Sequence, residues 1–149
     1  MEFQDEVVIE ADAETTWETV SDPEVLVNCV PGAEEIERVS ETHYTGTIKR
    51  GVAGIEVSLE GEVEMTELDP PNYLSADASG EDSNTGSRLD AEAEWTMTET
   101  GPGETTLESE LRMDWTGRLA TLGARMSKRL INRDINTFFD NLKDHVEED

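Results

Sequence analysis

Residues 117–146, GRLATLGARMSKRLINRDINTFFDNLKDHV, decide how the rest of the chain is read. These thirty residues contain no proline and are rich in Leu, Ala, Arg and Met, so they predict one long helix. Wound at about 100° per residue, Arg118, Arg125, Lys128, Arg129, Arg133 and Lys143 fall in one broad polar sector. Ile131, Ile135, Phe138 and Leu142 point together in the second half. Continued into the first half, that direction meets Ala120, Gly123, Ala124 and Ser127, with Leu119, Leu122, Met126 and Leu130 to one side. The predicted buried face is therefore bulky at its C-terminal end and small at its N-terminal end. Laid straight across a sheet, such a helix leaves a space that neither Phe138 nor Leu142 reaches. A bend or roll of the helix, or large sheet side chains, would close it.

Upstream, the pattern predicts what that helix covers. Residues 2–10 read as a strand carrying Phe3, Val7, Val8 and Ile9. Asp12 is placed to cap a short helix over 14–20, and Ser21-Asp22-Pro23-Glu24 stops it and starts a second through Val25, Leu26 and Val27. Pro31-Gly32 breaks the chain. From there the period changes to two. Over 55–65, Ile55, Val57, Leu59, Gly61, Val63 and Met65 alternate with Glu56, Ser58, Glu60, Glu62 and Glu64. Residues 88–97 repeat this with Leu89, Ala91, Ala93, Trp95 and Met97 on the apolar side, and 107–115 with Leu107, Ser109, Leu111, Met113 and Trp115. Shorter candidates are 35–39, 43–50 and 72–78, with turns at 40–42, 51–54, 69–71, 80–86 and 101–103. Strict alternation means an antiparallel sheet with one dry face. The long helix is the element able to cover it.

Composition sets outer limits. A chain of 149 residues is read as one domain, 1–149, with enough length for a real core. No apolar run approaches the ~20 residues that span a bilayer, and MEFQDEVVIE lacks the basic start and apolar core of a signal peptide. The single Cys29 allows no internal disulfide and no metal-ligand cluster. These features point to the cytoplasm. Thirty-six acids against eleven bases, three of them lysine, give a net charge of −25. Free nucleic acid is excluded as a partner by its phosphates. The acids alternate with apolar residues along nearly every strand, which argues against disorder and for a surface solvated in a salt-loaded cytoplasm, as in halophilic archaea. An acidic binding face is the alternative.

The order of elements is strand, two short helices, about six strands, one long helix: an α+β helix-grip arrangement, with a curved antiparallel sheet wrapped around the C-terminal helix. The residues then carry a resemblance. Thr16-Trp17, Asp22-Pro23-Glu24-Val25-Leu26 and Cys29-Val30-Pro31-Gly32-Ala33-Glu34 are followed by Gly54, Gly61 and Asp69-Pro70-Pro71 with Tyr73. Leu119-Ala120, Leu122-Gly123-Ala124-Arg125 and Phe138-Phe139-Asp140-Asn141-Leu142 complete the series. Together they resemble the START-like, or SRPBCC, superfamily, and within it the branch of CoxG, a carbon monoxide dehydrogenase subunit. The chain departs from that pattern at Glu81-Asp82-Ser83-Asn84-Thr85, where relatives are glycine-rich and less charged. Some relatives also carry a membrane-attaching tail; this sequence ends at Glu147-Glu148-Asp149, so self-sufficient anchoring is not expected.

The resemblance implies a lipophilic or aromatic molecule held between sheet and helix, and service to a molybdenum-containing carbon monoxide dehydrogenase at the membrane and its quinones. The small helix residues Ala120, Gly123, Ala124 and Ser127 suggest a cavity independently, with Leu59, Trp95, Leu111, Met113 and Met126 as apolar walls. Ordinary core packing would use the same residues. Arg118, Arg125, Arg129 and Arg133 border Leu119, Leu122, Met126 and Leu130, an edge suited to anionic lipid headgroups or an acidic partner, or simply a solvated face paired with strand acids. His43 and His145 are separated and read as surface residues, and Cys29 as a small residue at the elbow. No phosphate loop, metal motif or catalytic triad is visible. The expectation is a non-enzymatic carrier of an apolar small molecule, a quinone, with no covalent cofactor. A polyketide cyclase or aromatase-like enzyme, or a scaffold with a closed cavity, remains the alternative.

If the acidic surface is an adaptation to brine, the melting temperature should climb steeply as KCl rises from low to molar concentration, where the screening length falls to about 3 Å. A melting temperature indifferent to KCl would refute that reading.

Overall fold

The computed structural model describes residues 1–52 and 54–147, with only the backbone of Val52 and Ala124. β1 (Glu2–Ile9) leads into α1 (Ala13–Val20) and α2 (Pro23–Cys29). Asp12 caps α1 by accepting from the Thr15 N–H at 2.7 Å, and Asp22 caps α2 by accepting from the Glu24 N–H at 2.9 Å. Pro23 opens α2, where its missing N–H costs nothing. Then follow β2 (Ala33–Arg38), β3 (His43–Val52), β4 (Ile55–Asp69), β5 (Tyr73–Asp82), β6 (Ser87–Gly101) and β7 (Glu104–Thr116). The strands form one curved antiparallel sheet of seven, in the order β1-β7-β6-β5-β4-β3-β2. A 3-10 helix (Arg118–Leu122) and α3 (Ala124–Glu147) complete the chain. This is the helix-grip arrangement that the order of elements predicts.

Register explains the dry face. Met65, Ala76, Ala93, Leu111 and Phe3 form one cross-strand row, and Gly61, Gly80, Leu89 and Trp115 form another. The strands nonetheless run past their apolar alternation. β4 continues to Asp69 through a bulge between Met65 and Glu67, and the arms of β6 and β7 pair as far as Gly101 and Glu104. Polar residues such as Thr98 and Thr106 stand opposite one another there, held by backbone hydrogen bonds that a search for apolar periodicity does not see. The turn expected at 80–86 is tighter, since β5 runs to Asp82 and β6 begins at Ser87. Ala53, in the turn expected at 51–54, lies outside the described residues.

The larger correction falls on the long helix. It is not continuous from 117 to 146, because Gly117 (φ 85°) and Gly123 (φ 87°) take the left-handed backbone that glycine alone adopts cheaply. Between them the chain makes a 3-10 turn with the Ala120 N–H bonded to the Gly117 carbonyl at 3.1 Å. A Cβ on Gly117 would stand 2.5 Å from the Gly86 carbonyl oxygen, so the approach to the sheet is as demanding as the φ angle. The 3-10 turn is docked by Ser87, whose Oγ accepts from the Leu119 N–H at 3.0 Å, while Leu119 itself is fully buried. Ser87 is in turn tied through Thr85 to the buried Asp82. Burial pushes the Asp82 carboxyl up, but hydrogen bonds from Thr85, the Ser58 N–H and the Asn84 N–H outweigh it and hold the group below its usual range.

The packed core lies at one end of the sheet. Ile9, Val20, Cys29, Met97, Leu107, Phe139, Leu142 and Val146 form it, joining β1, β6 and β7 to α1, α2 and the second half of α3. The Asn141 side-chain amide donates to the Cys29 carbonyl at 3.1 Å and locks α2 to α3. Residues at the other end of the same sheet face, Leu59 and Leu89 among them, are only half-buried. Leu142→Ala should therefore cost about 2–5 kcal/mol, whereas Leu59→Ala should cost less than about half as much. Equal losses in urea titrations of the two variants would mean that both ends are equally packed.

Candidate ligand cavity

Between the half-buried end of the sheet and the first half of α3 lies an apolar cavity of about 360 Å³. The strands contribute Leu59, Leu89, Trp95, Leu111, Met113 and Trp115; the helical segment contributes Leu122, Leu130, Ile131, Ile135 and Phe138. A second lobe of about 340 Å³ extends over β3, β4 and β5 toward Tyr44, Val63, Met65 and Leu74. Val30, Ile48, Leu59, Leu89, Ala93, Trp95 and Phe138 line both lobes, so they are parts of one half-open space. Each lobe falls in the range of roughly 300–1,000 Å³ usual for small-molecule sites. Other concavities, such as one of about 420 Å³ among Glu2, Tyr73, Glu94 and Arg112, are walled by charged groups of the outer face.

The space arises from the sheet rather than the helix. Gly61, Ala76, Ala78, Gly80 and Ala93 make a low floor across β4, β5 and β6. Phe138 of α3 lines the same lobe. Trp95 and Phe138 mark the boundary with the core: their ring centroids are 6.0 Å apart, and Phe139 lies 5.9 Å from Trp95 on the core side.

The residues singled out in the sequence fare differently. Leu59, Trp95, Leu111, Met113 and Ser127 line the cavity. Ala120 and Gly123 are exposed, and a Cβ on Gly123 would meet nothing within 4 Å. Met126 is 47% exposed and points away. The side chain of Ala124 lies outside the described residues. Phe138, expected to be out of reach, is a wall of both lobes. The break at Gly123 takes Ala120 out of the phase that a continuous helix would give, whereas Met126, Ser127 and Phe138 lie on the unbroken α3 and keep theirs. Leu89 and Trp115 share the period-two rows of Trp95 and Met113, and that signal could have found them. Arg50 and Asp134, which also line the cavity, come from distant segments and carry no pattern.

Arg118, Arg125, Lys128, Arg129 and Arg133 are all exposed. Among the described residues none of them has a carboxylate within ion-pair distance, whereas Arg50, Arg88, Arg112, Lys49 and Lys143 do. The apolar ridge expected beside them is mostly inward: Leu119 is buried and Leu122 and Leu130 line the cavity, leaving Met126 outside.

Reactive groups lie elsewhere. His43 sits on β3 between Glu62 and Glu64, at 3.3 and 2.5 Å. His145 is on the last turn of α3. Cys29 is fully buried in the core, and burial pushes its thiol up, away from the thiolate that nucleophilic chemistry needs. Polar side chains on the wall of the larger lobe are Ser109, Ser127 and the Arg50–Asp134 pair. Such a cavity suits holding an apolar molecule better than moving protons. No helix among the described residues is long and apolar enough to cross a membrane.

Residues 6–147 match the family model of CoxG, described as a carbon monoxide dehydrogenase subunit. No curated protein sequence matches the chain. Among solved structures, a conserved protein from Geobacillus kaustophilus superposes with a TM-score of 0.90 at 21% identity, covering 99% of this chain and 96% of that one. A START superfamily protein from Mycobacterium smegmatis gives 0.72 at 16% identity, over 99% and 97% of the two chains. An aromatase/cyclase from Streptomyces sp. R1128 gives 0.70 at 16% identity, over 99% and 93%. At these identities the likeness is one of fold, and it is the START-like fold.

Filling the cavity should leave the fold standing. Ala93→Phe places a ring in the space shared by both lobes, so its melting temperature should stay close to the parent's. If the space were packed, overpacking would cost about 1–3 kcal/mol, and a melting temperature lowered accordingly would refute the cavity.

Proposed function

This chain belongs to the CoxG family of carbon monoxide dehydrogenase subunits, and from that premise we propose that it is a non-enzymatic accessory protein that carries a lipophilic molecule, a quinone, between sheet and helix. Its partner is a carbon monoxide dehydrogenase-type oxidoreductase, to which the family name points, working at a membrane face. The observation that carries the reading is the row of large apolar side chains left half-buried around a space, Leu59, Leu89, Trp95, Leu111, Met113 and Trp115. A protein that exposes that much inward apolar surface gains stability when an apolar ligand covers it.

The basic edge supports the membrane side of the proposal. Five cations unpaired among the described residues stand in a chain of net charge −25, on the segment that also forms the cavity roof. Each contributes about 1 kcal/mol of attraction to an anionic surface at moderate ionic strength. Rising salt shortens the range of this attraction and of the acidic remainder's repulsion alike, leaving only close contacts at the edge itself. A cyclase or aromatase reading has less behind it, because the wall offers few polar groups to position or activate a substrate. A closed scaffold fits poorly with a half-open cavity.

Native mass spectrometry with lipid extraction, on protein purified from its own host, tests the carrier reading. A stoichiometric lipophilic adduct that is absent from Ala93→Phe supports it; a parent protein free of lipid sinks it. The membrane contact is tested separately by Arg125→Glu with Arg129→Glu, sedimented with phosphatidylglycerol vesicles. Co-sedimentation should fall with the melting temperature unchanged. Unaltered co-sedimentation would make the edge an ordinary solvated face.

A further inference from the structure

We propose that the Arg50–Asp134 pair is a polar end-stop of the cavity, which selects an uncharged molecule ending in a carbonyl oxygen over a carboxylate of the same length. The inference rests on the carrier reading above and deepens it. Arg50 comes from β3 and Asp134 from α3, and both line a wall that is otherwise almost wholly apolar. The Arg50 Nε–H donates to Asp134 Oδ2 at 3.1 Å and its Nη2 donates to Oδ1 at 2.5 Å. This side-on fork uses both carboxylate oxygens and fixes the guanidinium plane. It leaves the two hydrogens of Nη1 without a protein acceptor among the described residues. The arginine stem also lies against the backbone of Gly32, where an added Cβ would come within 2.6 Å of Arg50 Cδ, so the side chain is held from that side too. About a third of each side chain is exposed, which puts the pair at the rim rather than in the depths.

The chemistry follows from charge. An arginine stays protonated throughout the accessible pH range. Asp134 cancels its net charge but does not occupy all its donors. The pair therefore presents N–H groups with little field behind them. A neutral carbonyl oxygen gains a hydrogen bond to a charged donor there and brings no charge of its own to desolvate. A carboxylate would lose its hydration, stand close to Asp134, and approach a protein of net charge −25. An alkane would gain nothing from the pair.

The test uses the delipidated full chain with three probes of similar size: methyl nonyl ketone, undecane and decanoate, titrated against the fluorescence of the cavity tryptophans. The parent's affinity for the ketone relative to undecane should be about tenfold higher than that of Arg50→Met, the worth of one hydrogen bond to a charged donor, and the parent should bind decanoate weakest. Arg50→Met should weaken the ketone about tenfold while leaving undecane within about twofold. Asp134→Asn unmasks the cation and should raise decanoate affinity about tenfold. Equal weakening of ketone and alkane by Arg50→Met, or no loss of either, overturns the proposal. If Arg50→Met does not fold, the exchange of preference in Asp134→Asn decides alone. A parent that binds none of the probes overturns the carrier reading, and this inference with it.

Discussion

The contact among Trp95, Phe138 and Phe139 is the hinge of this structure. Phe138 and Phe139 are adjacent on α3, with centroids 5.2 Å apart, and both rings meet the indole of β6. Aromatic pairs in tilted or edge-on contact hold position as well as burying area. On the core side of this cluster, α3 packs closely with Met97, Leu107, Leu142 and Val146 buried together. On the other side the helix roofs the sheet without filling it. One cluster thus divides a continuous apolar face into a core that stabilises the fold and a space that is available to a ligand.

That division needs a low floor. Cross-strand pairing brings Gly61 beside Gly80 and Ala76 beside Ala93, so small residues from neighbouring strands coincide. A single alanine in a strand is ordinary, but several in register make a volume. Native interiors are close-packed, so a void of this size beneath large half-buried side chains is a departure that asks for an occupant. The polar exception on the wall, Arg50 with Asp134, ties α3 to the sheet near the rim. The other end of α3 is fastened by Asn141 to the end of α2.

Charge is also distributed by face. The outer positions of β4, β6 and β7 are filled with Glu and Asp, while the bases collect on the segment from Arg118 to Arg133. Five of these cations remain unpaired among the described residues although acids outnumber bases in the chain more than threefold, 36 to 11. That separation of bases from acids is the feature on which the proposed membrane contact draws.

The antiparallel sheet, the two capped short helices and the C-terminal helix were legible in the sequence, because periodicity of two, capping residues and helix formers are local properties. Of the residues that the sequence proposes for a site, Leu59, Trp95, Leu111, Met113 and Ser127 line the cavity, and Arg118, Arg125, Arg129 and Arg133 are exposed. The origin of the cavity was not legible. The helical wheel placed the small residues on the helix, and the two left-handed glycines that break its phase, Gly117 and Gly123, look like any others in a one-dimensional string. Which alanines and glycines stand beside one another depends on strand register, and the meeting of Arg50 with Asp134 spans 84 positions. Local sequence determines which face of each element is apolar. Only the tertiary structure decides where two such faces touch and where they part, because that depends on distances between segments the chain itself does not adjoin.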